Sequence, residues 1–127
     1  MNVFLLLTTI LPPILIVIIF AASDKFKEPN KEIFLVFISG ILITIPAYYT
    51  NNFLGDLYLN YYFISEGLAA SFLSAAVVEE GLKFLVLYFV VYRLSEFNEP
   101  MDAIVYGVCA SLGFAALENI YYVSNAS

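Results

Sequence analysis

Four long apolar runs, separated by short polar segments, dominate the pattern of the chain: residues 3–22, 33–49, 68–92 and 101–123. A run of about 20 apolar residues is long enough to cross the hydrocarbon core of a bilayer as an α-helix. The pattern therefore predicts an all-α fold, a polytopic bundle of four transmembrane helices that makes up a single membrane domain over residues 1–127.

The segment between the second and third runs has a helical pattern of its own. In residues 51–65, aromatic and leucine side chains recur at helical spacing, while Asn52, Asp56 and Asn60 take the other side. This amphipathic pattern predicts a short additional helix lying in the membrane interface. Two roles are open for it: an anchor in the interface, or a lid that admits a substrate to the bundle.

Composition agrees with a membrane class. Hydrophobic residues make up 62% of the chain and charged residues 13%, whereas soluble domains carry roughly 25% charged residues. Basic clusters and nucleic-acid-binding motifs are absent, so the lipid bilayer is an expected partner and nucleic acid is not. The single Cys109 excludes an internal disulfide and is expected to pack in the bundle, and the chain has no histidine.

The placement of basic residues predicts the orientation. Basic side chains concentrate in the first and third loops: Lys25, Lys27, Lys31 and Arg93. Because cytoplasmic loops are enriched in lysine and arginine, loops 23–32 and 93–100 are expected in the cytoplasm and the N-terminus outside a multi-pass protein of the cell membrane. Tyrosines would then form an aromatic belt at the outer interface: Tyr48, Tyr49, Tyr58, Tyr61, Tyr62, Tyr121 and Tyr122.

The third apolar run contains three charged side chains, Glu79, Glu80 and Lys83. A charge at the bilayer centre costs roughly 2.5–3.5 kcal/mol, so these groups must face other helices or a water-filled cavity. On a helix, Lys83 lies one turn from both glutamates and can pair with either. Two adjacent carboxyl groups with different proton affinities can hold a water between an acid and a base.

The fourth run carries Phe114 and Glu118 on one face. Counted along helices from Asp102 and Arg93, Glu118 lies about 24 Å deep and Glu80 about 20 Å deep. The three carboxylates are therefore expected to meet at one level between the third and fourth helices. Small residues would allow that approach: Ser71, Ser74, Ala75, Ala76, Gly107, Ala110, Ser111 and Gly113.

These residues resemble the motifs of the PrsW-type intramembrane proteases, which are related to the CAAX-processing and bacteriocin-processing membrane proteases. The first motif, Glu-Glu-x-x-Lys, is matched by Glu79, Glu80 and Lys83, and the second, Phe-x-x-x-Glu, by Phe114 and Glu118. The surrounding segment "FNEPMDAIVYGVCASLGFAALENIYY" is also similar to the family's corresponding stretch.

The resemblance implies hydrolysis of peptide bonds in membrane proteins by a glutamate-activated water, with Glu79, Glu80, Lys83 and Glu118 as catalytic residues. It implies a membrane-spanning substrate, such as an anti-sigma factor. Family members are often described as metalloproteases, so Zn²⁺ is the cofactor candidate and Glu79, Glu80 and Glu118 are candidate ligands. Related enzymes use a glutamate-activated water without metal, and the two mechanisms remain open.

The chain departs from the family pattern in having no histidine. Family members continue through further helices that carry it, and catalytic zinc usually has histidine among its ligands. We therefore interpret the chain as the N-terminal part of such a protease and do not expect it to cleave substrates alone.

Two other interpretations of the charges are open. Buried glutamate and lysine also mark proton relays, so the alternative function is a small proton- or ion-coupled membrane transporter subunit. The same polar groups could also serve only to hold the bundle together. Asp102 is expected to cap the fourth helix, where a carboxylate is favoured, with a functional role in the family as the alternative.

Overall fold

A computed structural model describes the backbone of residues 3–23, 25–61, 67, 72 and 76–126, and the side chains of these except 3, 6, 58–61 and 126. This part of the chain is helical and contains no strand. Its helices are α1 (Val3–Ser23), α2 (Asn30–Tyr61), α3 (Glu80–Phe89) and α4 (Pro100–Ala126). A 3₁₀ turn, Val91–Arg93, follows α3.

Two of the described helices contain segments long and apolar enough to cross a membrane, Asn30–Leu57 of α2 and Pro100–Asn125 of α4. The apolar part of α1, Leu7–Ser23, is shorter. Much of the predicted third run, residues 68–75, lies outside the described residues apart from residue 72. The all-helical fold is thus confirmed, and the number of four spans stays a prediction.

The separate interfacial helix predicted for residues 51–65 is wrong, because residues 51–61 continue α2 without a break. This stretch contains one glycine and no proline after Pro46. Asparagine costs a helix only a fraction of a kcal/mol, about 0.7 at most, so the change to polar composition at Asn51 does not end it. The remaining residues of that prediction, 62–65, lie outside the described part of the chain.

Helix α4 is the centre of the bundle, since it packs against α1, α2 and α3. The core consists of small and branched side chains from several helices, including Val36 of α2, Val86 of α3 and Val105 of α4. Cys109 is fully buried among them, which confirms its predicted packing role.

Backbones of α2 and α4 touch where each helix has a glycine. A Cβ at Gly40 would overlap the carbonyl oxygen of Ala110, and a Cβ at Gly113 would overlap that of Phe37. Ala110 and Gly113 therefore face α2. The prediction that these two residues allow the third helix to approach the fourth is wrong. Gly107 is the small residue of α4 nearest to α3, with a Cβ position 4.0 Å from the Leu87 methyl Cδ1.

Buried polar groups join the first and third loops at one end of the bundle. The Tyr106 hydroxyl is within hydrogen-bond distance of the Glu28 and Glu32 carboxyl oxygens, the latter at 3.0 Å. Asp102 Oδ2 accepts the backbone N–H groups of Asn98 at 2.8 Å and Glu99 at 2.7 Å. Asp102 therefore caps the start of α4, as predicted.

Tyrosines gather at the opposite end of the bundle. The rings of Tyr48 on α2 and Tyr121 on α4 lie edge to face with centroids 5.3 Å apart, and each has a second tyrosine beside it, Tyr49 and Tyr122. This agrees with an aromatic belt at one interface. Three further tyrosines of the predicted belt, Tyr58, Tyr61 and Tyr62, lie outside the described side chains.

Candidate active site

A cavity of about 450 Å³ opens between α2, α4 and the residues that precede α3. Most of its lining surface is apolar, and polar groups converge on it from different helices: Thr44, Tyr48, Tyr49, Asn51, Asn52, Glu79, Glu118, Tyr121 and Tyr122. Apolar pockets with a few convergent polar groups are typical of substrate sites.

Residues 76–79, of which Glu79 is the last, are π-helical and lead directly into α3. π-helical backbone is rare and occurs frequently at functional sites. Asn51 Nδ2 donates a hydrogen bond to Glu79 Oε1 at 3.3 Å. The side chains of Glu79 and Glu118 both line the cavity.

Glu80 and Lys83 form an ion pair beside this cavity. Lys83 Nζ lies 2.7 Å from Glu80 Oε1, and the Glu80 side chain is 65% exposed whereas that of Lys83 is 17% exposed. The ammonium group also lies 4.6 Å from the centroid of the buried Phe114 ring, a cation–π contact. Lys83 therefore connects the Glu-Glu-x-x-Lys segment of α3 to the Phe-x-x-x-Glu segment of α4.

The structure brings together only part of the predicted site. Glu79 and Glu118 share the cavity, in agreement with the depth predicted for Glu118, and Lys83 reaches the site through Phe114. Glu80 does not line the cavity and is instead the partner of Lys83.

The apolar pattern did not predict Asn51 as a site residue, because the second apolar run ends at Tyr49. The spacing of Asn51 from Thr44 and Tyr48 could have identified it, because the three residues fall on one face of a continuous helix. All three line the cavity.

The chain matches the family model described as PrsW family intramembrane metalloprotease over residues 28–127. The chain belongs to this family. Similar proteins include three named Protease PrsW. The one from Geobacillus kaustophilus (strain HTA426) is 38% identical over 118 residues, 88% of this chain and 48% of the relative. The one from Bacillus subtilis (strain 168) is 33% identical over 120 residues, 90% of this chain and 51% of the relative.

The third relative, from Clostridioides difficile (strain 630), is 30% identical over 130 residues, 100% of this chain and 53% of the relative. The chain thus spans about half the length of the curated relatives that it matches. No solved structure matches it. The resemblance to the PrsW family is confirmed, PrsW proteins are membrane proteins, and the comparisons give the transporter alternative no support.

The family description implies a bound metal ion, which would need several ligand side chains grouped at the site. Among the described residues, no three His, Cys, Asp or Glu side chains are grouped so that they could hold a metal. Of the residues that the structure describes, two carboxylates line the cavity, Glu79 and Glu118. Catalytic zinc takes three protein ligands, usually with histidine among them. The donors that this chain brings to the cavity therefore do not fit a catalytic zinc ion by themselves.

Proposed function

We propose that this chain forms the glutamate-bearing part of an intramembrane protease active site, in which Glu79 activates a water for peptide hydrolysis. The observation that carries the proposal is the convergence of Glu79 and Glu118, from different helices, on one largely apolar cavity. Charged groups inside a membrane are costly and mark functional sites. The membership of the chain in the PrsW family supports the same reaction class.

In the proposed reaction, Glu79 accepts a proton from the water, and the water oxygen attacks the carbonyl carbon of the scissile bond. Glu118 lines the same cavity and is the second group that can carry this proton. The C–N bond of the scissile peptide then breaks, and the proton passes to the leaving amine. Glu80 acts indirectly by holding Lys83, which fixes α3 against Phe114 of α4.

The proposed substrate is a membrane-spanning protein, and an anti-sigma factor is the class that the family resemblance suggests. A peptide bond inside a transmembrane helix has its polar groups satisfied by the helix itself, so cleavage requires local unwinding. The unwound backbone then needs new hydrogen-bond partners. Thr44 and the tyrosine hydroxyls of the cavity lining can provide them.

The test is to express the protein from its complete gene and reconstitute it in liposomes with a tagged single-span substrate. We expect cleavage without proton flux across the membrane. Glu118→Gln should slow cleavage by about 10-fold or more, because it removes the second carboxyl group from the proton transfer. If the protein moves protons, cleaves no membrane substrate, and Glu118→Gln stops the proton movement, the proteolytic proposal is wrong.

We also propose that the N-terminus lies outside and that the first and third loops lie in the cytoplasm. Contacts between Glu28 and Tyr106, with lysines in the adjoining loop, support placing both loops on one side. A topology reporter fused after Glu28 should behave as cytoplasmic, and one fused after Tyr61 as external. The opposite result for both fusions would reverse the orientation, and the same result for both would mean that α2 does not span the membrane.

A further inference from the structure

Asn51 is the residue of α2 whose side chain contacts Glu79. Its Nδ2 donates to Glu79 Oε1 at 3.3 Å, and its side chain lines the cavity. Within the described part of the chain, Asn51 Oδ1 is the one buried side-chain polar atom with no hydrogen-bond partner. Buried acceptors without a partner destabilise a fold, and such exceptions are often found at functional sites.

The chemistry of the two side chains fixes which atom of the amide is left over. An ionised carboxylate only accepts hydrogen bonds, so the amide must turn its NH₂ group towards Glu79. The carbonyl oxygen of Asn51 is then left buried without a partner. Turning the amide towards Glu79 therefore has an energetic cost, which is typical of a contact retained for function rather than for stability.

The hydrogen bond from Asn51 Nδ2 limits the rotation of the Glu79 carboxyl group. A general base whose orientation is fixed keeps the rate advantage of a fixed geometry with the water that it activates.

We propose that Asn51 is a positioning residue of the active site, which orients the carboxyl group of Glu79 through its amide N–H. This inference rests on the proposed proteolytic function. In the step itself, the water O–H bond breaks, its proton passes to Glu79, and the water oxygen bonds to the scissile carbonyl carbon while the carbonyl π electrons move to the carbonyl oxygen. Asn51 exchanges no proton and keeps its hydrogen bond to Glu79.

The first test compares Asn51→Ala with Asn51→Gln in the protein expressed from its complete gene, with Asn98→Ala as control. Asn98 has the same side chain but is exposed in the third loop, where its amide donates to the Glu96 carbonyl. We expect Asn51→Ala to lower kcat about 10- to 100-fold with little change in KM, as for residues that orient a catalytic group. Asn51→Gln, which retains the donor and the acceptor, should recover part of this loss.

Asn98→Ala should leave both constants unchanged. If Asn51→Ala keeps kcat within about twofold of the wild-type value, or changes KM alone, the inference is wrong. A loss that Asn51→Gln does not relieve at all also contradicts it, because the amide would then not be what matters.

The second test asks whether Asn51 acts through Glu79. In a Glu79→Gln background, Asn51→Ala should cause no further loss of kcat, because the group that it orients no longer takes a proton. Equal losses in both backgrounds would show independent action and overturn the inference.

A third measurement does not depend on cleavage. The infrared carboxylate band of Glu79, identified as the band that Glu79→Gln removes, should shift in Asn51→Ala and not in Asn98→Ala. If this band shifts but the protein cleaves nothing, the pairing stands and the proteolytic proposal fails. If cleavage occurs but the band does not shift, the proteolytic proposal stands and the role of Asn51 is wrong.

Discussion

Replacing Glu79 by glutamine is expected to lower the rate of substrate cleavage by about 10²-fold or more, while the protein remains folded. Glutamine has nearly the same size as glutamate, but its amide cannot take a proton from water. Its carbonyl oxygen can still accept the hydrogen bond from Asn51 Nδ2, so the wall of the cavity is preserved. The loss should therefore appear in the rate of the chemical step rather than in stability.

The measurement is a single-turnover cleavage assay with a tagged membrane-spanning substrate, accompanied by thermal unfolding in detergent. Glu96→Gln is the matched control, since Glu96 is an exposed glutamate of the third loop. The control should cleave at the wild-type rate. Cleavage by Glu79→Gln within about 10-fold of wild type would remove Glu79 from the role of general base.

The same substitution at two glycines of α2 should change stability in opposite directions. Gly40→Ala places a methyl group against the carbonyl oxygen of Ala110 on α4, and nothing but a shift of the two helices can relieve the overlap. We expect it to lower the free energy of unfolding by about 1–3 kcal/mol. At Gly55 no atom lies within 4 Å of the added methyl group, so Gly55→Ala should gain up to about 1 kcal/mol from lower backbone entropy.

Thermal unfolding of both variants in the same detergent provides the comparison. Because the two changes are chemically identical and lie on one helix, effects of glycine replacement on helix propensity alone would have the same sign at both sites. A midpoint for Gly40→Ala at or above that of Gly55→Ala would contradict the close contact of α2 with α4.

The sequence was sufficient for features that depend on composition and spacing along one helix. Long apolar runs predicted α1, α2 and α4. Counting residues along the helices placed Glu79, Glu80 and Glu118 at one level, and the structure brings Glu79 and Glu118 to one cavity without Glu80. Spacing alone could not predict which of the two glutamates pairs with Lys83, because both lie one helical turn away from it. In the structure it pairs with Glu80.

Other features depend on how helices meet, which spacing along one helix does not contain. Residues 76–79 are π-helical, and the spacing of a regular α-helix does not predict this. Gly113 faces α2 rather than α3 because it fits against the backbone at Phe37. Asn51 belongs to the site only because α2 continues past the tyrosine pair.

The central position of α4 also determines the order in which the bundle can be assembled during synthesis. Translation produces α1, α2 and α3 before α4, yet α4 contacts all three. Until α4 emerges, Glu28 and Glu32 have no contact with Tyr106, and Gly40 has no contact with the backbone of Ala110. The side of the cavity that α4 forms, opposite Glu79, is also absent until then. A nascent chain that has not reached residue 118 therefore has no closed cavity, so formation of the site is coupled to completion of the bundle.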